Sequence, residues 1–178
     1  MGNEIFWFAP DERAIIPLAG FHVSRSLRRV VRQGRYRVVA DQAFEAVIRA
    51  CAAPRPRHPD TWISEAIVQS YTALAAHGWA HSVECYEDDE LVGGLYGVAI
   101  GGAFFGESMF HRRRDASKVA LVHLVERLRQ RGYVLLDVQY MTPHLARFGA
   151  CEITREEYEQ RLSEAISVDV EWGGRAMQ

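Results

Sequence analysis

Cysteine is scarce in this sequence. Only Cys51, Cys85 and Cys151 occur in 178 residues, and they are odd in number, far apart and in no metal-ligand spacing. Each is flanked by apolar or small residues, so we expect buried thiols rather than disulfides, metal ligands or a nucleophile. Such usage is typical of a reducing compartment.

Long apolar runs are also missing. No segment approaches the roughly 20 consecutive apolar residues that a membrane-spanning helix needs. The first four residues, Met1 to Glu4, lack the basic region and following apolar stretch of a secretory signal. We therefore expect a cytoplasmic protein without a membrane partner.

Several chemical signatures are absent as well. The net charge of -2 and the pI near 6.4 argue against a surface that is basic throughout. Neither Gly93-Gly94 nor Gly101-Gly102 has the strand-loop-helix setting and Lys-Ser/Thr of a phosphate loop. His77 and His81 lack further convincing zinc ligands, and no Ser-His-Asp signature is visible. We expect neither a metal nor a cofactor.

What is present predicts one mixed domain. Apolar residues make up 48% of the chain, enough for a sizeable core. Periodicity and capping residues predict helices over 24–33, 42–53 (with Asp41 as N-cap), 64–77 and 115–131, then two short helices, the second opened by Thr154. Alternation predicts strands over 36–40, 80–86, 91–99, 103–109 and 133–139, and a strand or docking segment over 5–8. This order predicts an α+β fold with a mixed sheet flanked by helices, similar to the acetyltransferase (GNAT) fold.

Basic residues are segregated along the chain. From residue 25 to residue 37 there are six arginines and no acidic residue. A solvated helix face is the usual explanation of such a run. An uncompensated basic face also suits the phosphates of a nucleic acid. The residues that form or extend this predicted face are Arg25, Arg28, Arg29, Arg32, Arg35, Arg37 and, from further along, Arg55 and Arg57.

Three polar residues lie at predicted strand ends. Asp137 and Gln139 are two apart and so share a strand face, where a carboxylate and a carboxamide can orient an amine. Alternatively, they only satisfy turn backbone. Glu107 follows Phe104 and Phe105, and a carboxylate in such a setting is either functional or paired, because unpaired burial is costly.

A dense set of ordered motifs covers the chain from about residue 5 to about residue 162. The sequence resembles the leucyl/phenylalanyl-tRNA–protein transferase family in these segments. They are HVSRSLRR (22–29), TWI (61–63), AHSVE (80–84), LVGGLYG (91–97), GESMF (106–110), ASK (116–118) and GACEI (149–153).

The resemblance implies an acetyltransferase-like catalytic domain over residues 23–166 that has no acetyl-CoA site. In agreement, the segment RRRDASK (112–118) lacks a glycine-rich turn for a pyrophosphate. It implies transfer of Leu or Phe, and weakly Met, from aminoacyl-tRNA to N-terminal Arg or Lys of acceptor proteins, which marks them for degradation through the N-degron pathway. The implied roles are catalysis by Asp137, Gln139 and Glu107; an aminoacyl pocket of Leu95, Phe104, Met109 and Leu124; adenosine stacking on Trp62; and tRNA binding by Arg25, Arg28, Arg29, Arg32 and Arg35.

The resemblance also implies a longer N-terminal domain, of which residues 1–22 are expected to be a remnant, and residues 167–178 are expected to form a loose tail. We expect a monomer. Three alternatives stay open at this point. One is a tRNA-binding module that is inactive because the N-terminal domain is missing, and another is an acetyl-CoA-dependent N-acetyltransferase. The third is a transferase of the same class with a different acceptor, for instance proteins with acidic N-termini.

Overall fold

The computed structural model describes residues 10–54 and 61–173. The predicted strand over 5–8 and the arginines at 55 and 57 lie outside these residues. The elements in chain order are β1 (Glu12–Ile15), α1 (Arg25–Arg32), β2 (Arg37–Ala40), α2 (Phe44–Ala52), α3 (Glu65–Ala76), β3 (Ala80–Glu87), β4 (Glu90–Ile100), β5 (Ala103–His111), α4 (Ala116–Arg131), β6 (Leu135–Gln139), α5 (Pro143–Ala146), β7 (Cys151–Thr154) and α6 (Arg155–Ile166).

The seven strands form one sheet in the order β2-β3-β4-β5-β6-β1-β7. Neighbouring strands are antiparallel except β5 and β6, which run parallel. Their pairing ends at Phe105 and Asp137, although β5 continues to His111 and β6 to Gln139. The two strands therefore part within the sheet. The predicted α+β class with a mixed sheet is confirmed, and the narrower acetyltransferase-like topology stays a prediction.

Helices cover both faces of the sheet. Along β4, Leu95 packs into a core with α4, whereas Tyr96 packs into a core with α2 and α3. Successive strand residues point to opposite faces, so α4 lies on one face and α2 and α3 on the other. By the same logic Leu136 belongs to the α4 core and Leu135 to a core with α6. The site described below is enclosed between these layers.

Glycine in the LVGGLYG motif has a packing role. A Cβ on Gly93 would lie 2.5 Å from the Ala116 Cβ, so the first turn of α4 rests directly on β4. The missing side chain allows this close approach. The motif is therefore explained by helix–sheet packing, in agreement with the expectation that it is not a phosphate loop.

Most predicted elements are confirmed, with two corrections. The N-cap of α2 is Ala43, not Asp41, which has a positive φ of 56° and accepts a hydrogen bond from the Ser82 backbone N–H at 2.9 Å. Asp41 was wrongly predicted because its side chain serves a neighbouring strand instead of the helix. The four-residue strands β1 and β7 were not predicted, since they are too short to show alternation.

The ends of the described chain are built into the fold. β1 lies between β6 and β7, so residues 12–15, expected within the N-terminal segment 1–22, belong to the same sheet as the other strands. Residue Trp172 is only 7% exposed and stacks on Phe104 with ring centroids 5.4 Å apart. Trp172 and the partly buried Val170 therefore attach the described part of the expected tail to the core, whereas Ser167, Asp169 and Glu171 are exposed.

Candidate functional site

A cavity of about 990 Å³ opens where β5 and β6 part. Its walls come from the free half of β5, from α4 and from the end of α2. Residues Leu95, Met109 and Leu124 line it together with Glu107. The predicted apolar pocket and one predicted catalytic carboxylate thus face the same space.

Asp137 lies at the point where the two strands separate and is fully buried. Its carboxylate accepts hydrogen bonds from three directions. Arg13 donates from β1, with Nη2 at 2.8 Å from Oδ2, and the Tyr158 hydroxyl donates from α6 at 2.7 Å. The backbone N–H of Gln139 donates at 2.7 Å. Because these donors satisfy the carboxylate and no water reaches it, Asp137 is suited to hold its neighbours in place rather than to exchange protons.

Gln139 has a left-handed backbone conformation, with φ of 67°. Such a conformation is unfavourable for a residue other than glycine and persists only when its surroundings hold it. The hydrogen bond from the Gln139 N–H to Asp137 Oδ1 supplies this support. The side-chain Nε2 then donates to Glu107 Oε2 at 3.1 Å. The amide predicted to engage an amine therefore lies between the two predicted carboxylates.

Glu107 is an extra residue within β5. Tyr96 pairs with Ser108 and Gly97 pairs with Gly106, so Glu107 has no partner on β4 and forms a β-bulge. Bulges redirect a side chain and are frequent beside active sites. Burial raises the pKa of the Glu107 carboxyl, and hydrogen bonds from Gln139 and Tyr71 oppose that shift. Glu107 is within the strand, not at its end as expected.

Three residues of this network were not identified from the sequence. Arg13 is 124 positions from Asp137, Tyr158 is 21 positions away, and Tyr71 reaches Glu107 from α3. No local spacing connects them to the site. Arg13 follows the acidic residues Asp11 and Glu12, so nothing in its immediate sequence marks it as the partner of a buried carboxylate.

Two predicted substrate residues lie elsewhere. Phe104 is fully buried and packs in the core beneath Trp172, outside the cavity wall. The side chain belongs to the core on the α4 face of the sheet, together with Leu95 and Leu124. Trp62 is 53% exposed at the start of the segment that leads into α3, also outside the wall. It is accessible to a partner that extends beyond the cavity.

The basic face of α1 is exposed as predicted. Ser24 caps the helix and Leu27 anchors it, which leaves the arginines in solvent. Arg35 is a correction to this face, because its Nε lies 3.0 Å from Glu87 Oε1, and Arg37 likewise pairs with Asp89 at 3.2 Å. Among residues 10–54 and 61–173, no carboxylate pairs with the remaining four, which are Arg25, Arg28, Arg29 and Arg32.

The described residues offer neither a metal site nor a membrane span. Within the described residues, no three His, Cys, Asp or Glu side chains converge on a position where an ion would be held. The same part of the chain contains no helix with the length and apolar character to span a bilayer.

The arrangement suits transfer of an acyl group to an amine. A buried carboxylate fixes a carboxamide, which contacts a half-buried carboxylate next to an apolar cavity. Such a site can position an amine and an ester without forming a covalent enzyme intermediate. Glu107, Gln139 and the apolar wall are the groups that can contact substrates directly.

Comparison with known proteins places this geometry in a family. A family described as "Leucyl/phenylalanyl-tRNA protein transferase" matches residues 15–163. A protein named leucyl/phenylalanyl-tRNA–protein transferase from Maricaulis maris is 56% identical over 168 residues, which cover 94% of this chain and 78% of that protein. A protein of the same name from Paramagnetospirillum magneticum is 54% identical over 165 residues, with 93% and 79% covered.

Solved structures show a likeness of fold alone. The L-PGS structure from Bacillus licheniformis matches with a TM-score of 0.51 and 16% sequence identity. The match covers 75% of this chain and 47% of the other. This similarity supports the mixed α+β architecture and carries no statement about activity.

Proposed function

Because this chain belongs to the leucyl/phenylalanyl-tRNA–protein transferase family, we propose that it moves Leu or Phe, and weakly Met, from aminoacyl-tRNA to an N-terminal Arg or Lys of acceptor proteins. Its relatives are named as aminoacyl-tRNA–protein transferases, so the chain is an aminoacyltransferase. The observation that carries the finer proposal is the contact of Gln139 with Glu107 beside the apolar cavity, with Gln139 anchored on Asp137.

The reaction needs little beyond positioning. The donor is an ester already activated by its tRNA, so no ATP is consumed. The neutral α-amine of the acceptor attacks the ester carbonyl carbon, the new C–N bond forms, and the C–O bond to the terminal ribose breaks. The amine loses a proton and the ribose hydroxyl gains one. Holding both substrates in this geometry can supply a large part of the acceleration.

Each polar residue has a distinct part in this scheme. The Gln139 carboxamide oxygen accepts a hydrogen bond from the attacking amine, while its Nε2 is occupied by Glu107. Asp137 positions Gln139 through the backbone and does not contact substrate. Glu107 holds an amine or ribose hydroxyl near the carbonyl, and burial raises the pKa of its carboxyl.

The donor extends from the cavity to the surface. Leu95, Met109 and Leu124 hold the aminoacyl side chain, and pocket shape selects Leu and Phe over branched residues. Trp62, exposed outside the cavity, stacks on the terminal adenosine. The four arginines of α1 that have no carboxylate partner in the described part of the chain bind phosphates of the acceptor stem. Phe104 supports the pocket from below instead of touching the side chain.

The cellular role follows from the product. A protein that acquires N-terminal Leu or Phe is marked for degradation through the N-degron pathway, in the cytoplasm where aminoacyl-tRNA is available. The chain acts as a monomer in this scheme, because each described catalytic residue comes from the same sheet or from a helix packed on it.

The decisive test uses the pure protein with radiolabelled Leu-tRNA, Phe-tRNA or Val-tRNA and peptides that begin with Arg, Asp or Ala. We expect transfer of Leu and Phe, but not Val, to the Arg peptide alone. Transfer to the Asp peptide instead would change the acceptor class. Binding of tRNA without any transfer would identify a binding module that has no catalytic activity.

A further inference from the structure

One wall of the cavity is basic and has no part in the proposed chemistry. Five side chains contribute to it: His111 and Arg112 at the end of β5, Arg114 and Lys118 around the start of α4, and His144 on α5. Glu107 and the apolar pocket line the same cavity, and Glu107 lies four residues before His111 on β5, about 13 Å along an extended strand. The cavity therefore has an apolar, acidic end and a basic end.

Positive charge exceeds negative charge at the basic end. Asp115 also lines this end, and its carboxylate pairs with Lys118 Nζ at 2.6 Å and with Arg114 Nε at 3.7 Å. One carboxylate thus faces three permanently charged cations. The Arg112 guanidinium lies over the Phe110 ring and donates to the Leu91 carbonyl oxygen at 3.1 Å, and in the described part of the chain it forms no ion pair.

His144 contributes a buried polar atom to this wall. Among residues 10–54 and 61–173 its Nε2 has no hydrogen-bond partner, while the ring packs edge-on against Phe148 with centroids 5.3 Å apart. Burial lowers the pKa of His144, and the nearby Lys118, Arg147 and His111 lower it further. A ligand that reaches Nε2 would supply the hydrogen-bond partner that this buried atom lacks.

The distance from the apolar pocket matches the length of the donor. Lys118, Leu121 and Leu124 all line the cavity from one side of α4. Lys118 and Leu124 are six residues apart, which is about 9 Å along a helix axis. We place the aminoacyl side chain at Leu124. The ester carbonyl and the ribose of the donor then extend along α4, and the next chemical group of the donor reaches the basic end. In an aminoacyl-tRNA that group is the phosphate on the 5′ oxygen of the terminal nucleotide.

We propose that His111, Arg112, Lys118 and His144 form a binding site for the phosphate that joins the last two nucleotides of the donor. This inference rests on the proposed function, since it concerns the same donor. The site differs from a pyrophosphate loop because cationic side chains, not glycine-rich amides, supply the contacts. In this proposal the cavity binds the aminoacylated end of the tRNA, and the arginines of α1 bind the acceptor stem.

The test compares two unreactive donor analogues. Both carry phenylalanine linked through an amide to the 3′ position of adenosine, and one has a free 5′ hydroxyl whereas the other has a 5′ phosphate. Isothermal titration gives the Kd of each, and their ratio is the phosphate factor. For the wild type we expect a factor of about tenfold or more, the range of charge-assisted hydrogen bonds.

Variants locate the contact. Lys118→Met and His144→Leu should each bring the phosphate factor towards one, and Arg161→Met on α6, a cation paired with Glu157 outside the cavity wall, should keep it. Binding of the 5′-hydroxyl analogue reports whether each variant is folded. A wild-type factor near one, or a factor that survives both variants, would overturn the phosphate site.

Transfer from full Leu-tRNA is measured in parallel and decides the proposed function separately. If Leu is transferred from Leu-tRNA but the phosphate factor is near one, the proposed function stands and the phosphate site is rejected. If the phosphate factor is large but no Leu is transferred, the phosphate site stands and the proposed function is rejected. A third outcome is that Lys118→Met and His144→Leu raise the KM of the acceptor peptide but leave the phosphate factor unchanged. The basic wall would then bind acidic residues of the acceptor, and the inference would be wrong.

Discussion

The Arg13 guanidinium donates hydrogen bonds to both carboxylate oxygens of Asp137. Its Nε lies 3.1 Å from each oxygen and its Nη2 lies 2.8 Å from Oδ2. Burial lowers the pKa of Arg13, but the hydrogen bonds and charge of Asp137 more than compensate and raise it. This pair connects β1 to β6 and fixes the residue on which Gln139 is anchored. A buried pair of this kind is costly to break from one side.

Truncation around Asp137 should lower turnover in a graded way. Tyr158→Phe removes one charge-assisted hydrogen bond, and we expect kcat to fall about tenfold. Asp137→Ala removes the anchor of Gln139, and we expect a fall of at least about a hundredfold. In both variants tRNA binding should remain near normal, because the basic face of α1 is not altered. Steady-state kinetics and filter binding measure the two properties.

Tyr140→Phe is the matched control for this series, since Tyr140 is 54% exposed and lies just beyond the anchored residue. It should leave kcat unchanged. If Asp137→Ala lost tRNA binding but kept turnover at saturating donor, the positioning role given to Asp137 would be wrong.

Substitution of the α1 arginines should change the salt dependence of tRNA binding. The double variant Arg28→Gln/Arg32→Gln removes two cations that have no carboxylate partner in the described chain. We expect the slope of log K against log salt to become shallower by roughly one for each lost phosphate contact. Arg35→Gln should have little effect, because Glu87 already neutralises that side chain. Equal effects of all three substitutions would show that the ion pair does not persist when tRNA binds.

Glu84 should make stability depend on pH. It is fully buried, and burial raises the pKa of its carboxyl to about 7. The native state then holds a proton that the unfolded state releases above its ordinary pKa, so the free energy of unfolding falls as the pH rises from about 4.5 to about 7. The loss is on the order of 3 kcal/mol over that window. Urea unfolding from pH 5 to pH 8 measures it.

Glu84→Gln keeps the shape of the side chain and removes the titration. The variant should show a flatter dependence of unfolding free energy on pH over the same range. The same slope in variant and wild type would assign the titration to another group, with Glu107 as the next candidate because its pKa is also raised by burial.

The preference between Phe-tRNA and Leu-tRNA should depend on the volume of the aminoacyl pocket. Leu95 is 3% exposed and lines the cavity from β4. Leu95→Phe reduces the space, and we expect the ratio of kcat/KM for Phe-tRNA to that for Leu-tRNA to fall about tenfold or more. Overpacking should cost about 1–3 kcal/mol of stability, so thermal unfolding is recorded beside the kinetics. An unchanged ratio in a folded variant would place the donor side chain elsewhere.

Local patterns predicted the local parts of this protein. Ser24 and Thr154 cap the helices that they were predicted to open, and Ser64 caps α3. Each accepts a hydrogen bond from a backbone N–H three residues on. The central strands and α4 were predicted because their periodicity extends over many residues. The short strands β1 and β7 carry no such period, and their pairing is created only when the sheet assembles.

The sequence named several residues of the candidate site but not the hydrogen bonds that join them to the rest of the fold. The motifs identified Asp137, Gln139 and Glu107, and the resemblance supplied Leu95, Met109 and Leu124. They gave no information on Arg13, Tyr158 and Tyr71, because hydrogen bonds across the sheet and from α3 and α6 leave no spacing rule. The resemblance predicted Phe104 in the aminoacyl pocket. In the structure its ring stacks on Trp172 and is buried in the core.

The sequence by itself determined the family, the α+β class and the chemical types available at the site, because caps, periodicity and motifs depend on neighbours along the chain. Tertiary structure alone decided which of these groups act together. It buried Asp137 between Arg13 and Tyr158, bulged Glu107 toward Gln139, neutralised Arg35 with Glu87, and gathered a basic wall beside the apolar pocket. These outcomes depend on distances between residues remote in sequence, and such distances are set by the packing of the whole sheet.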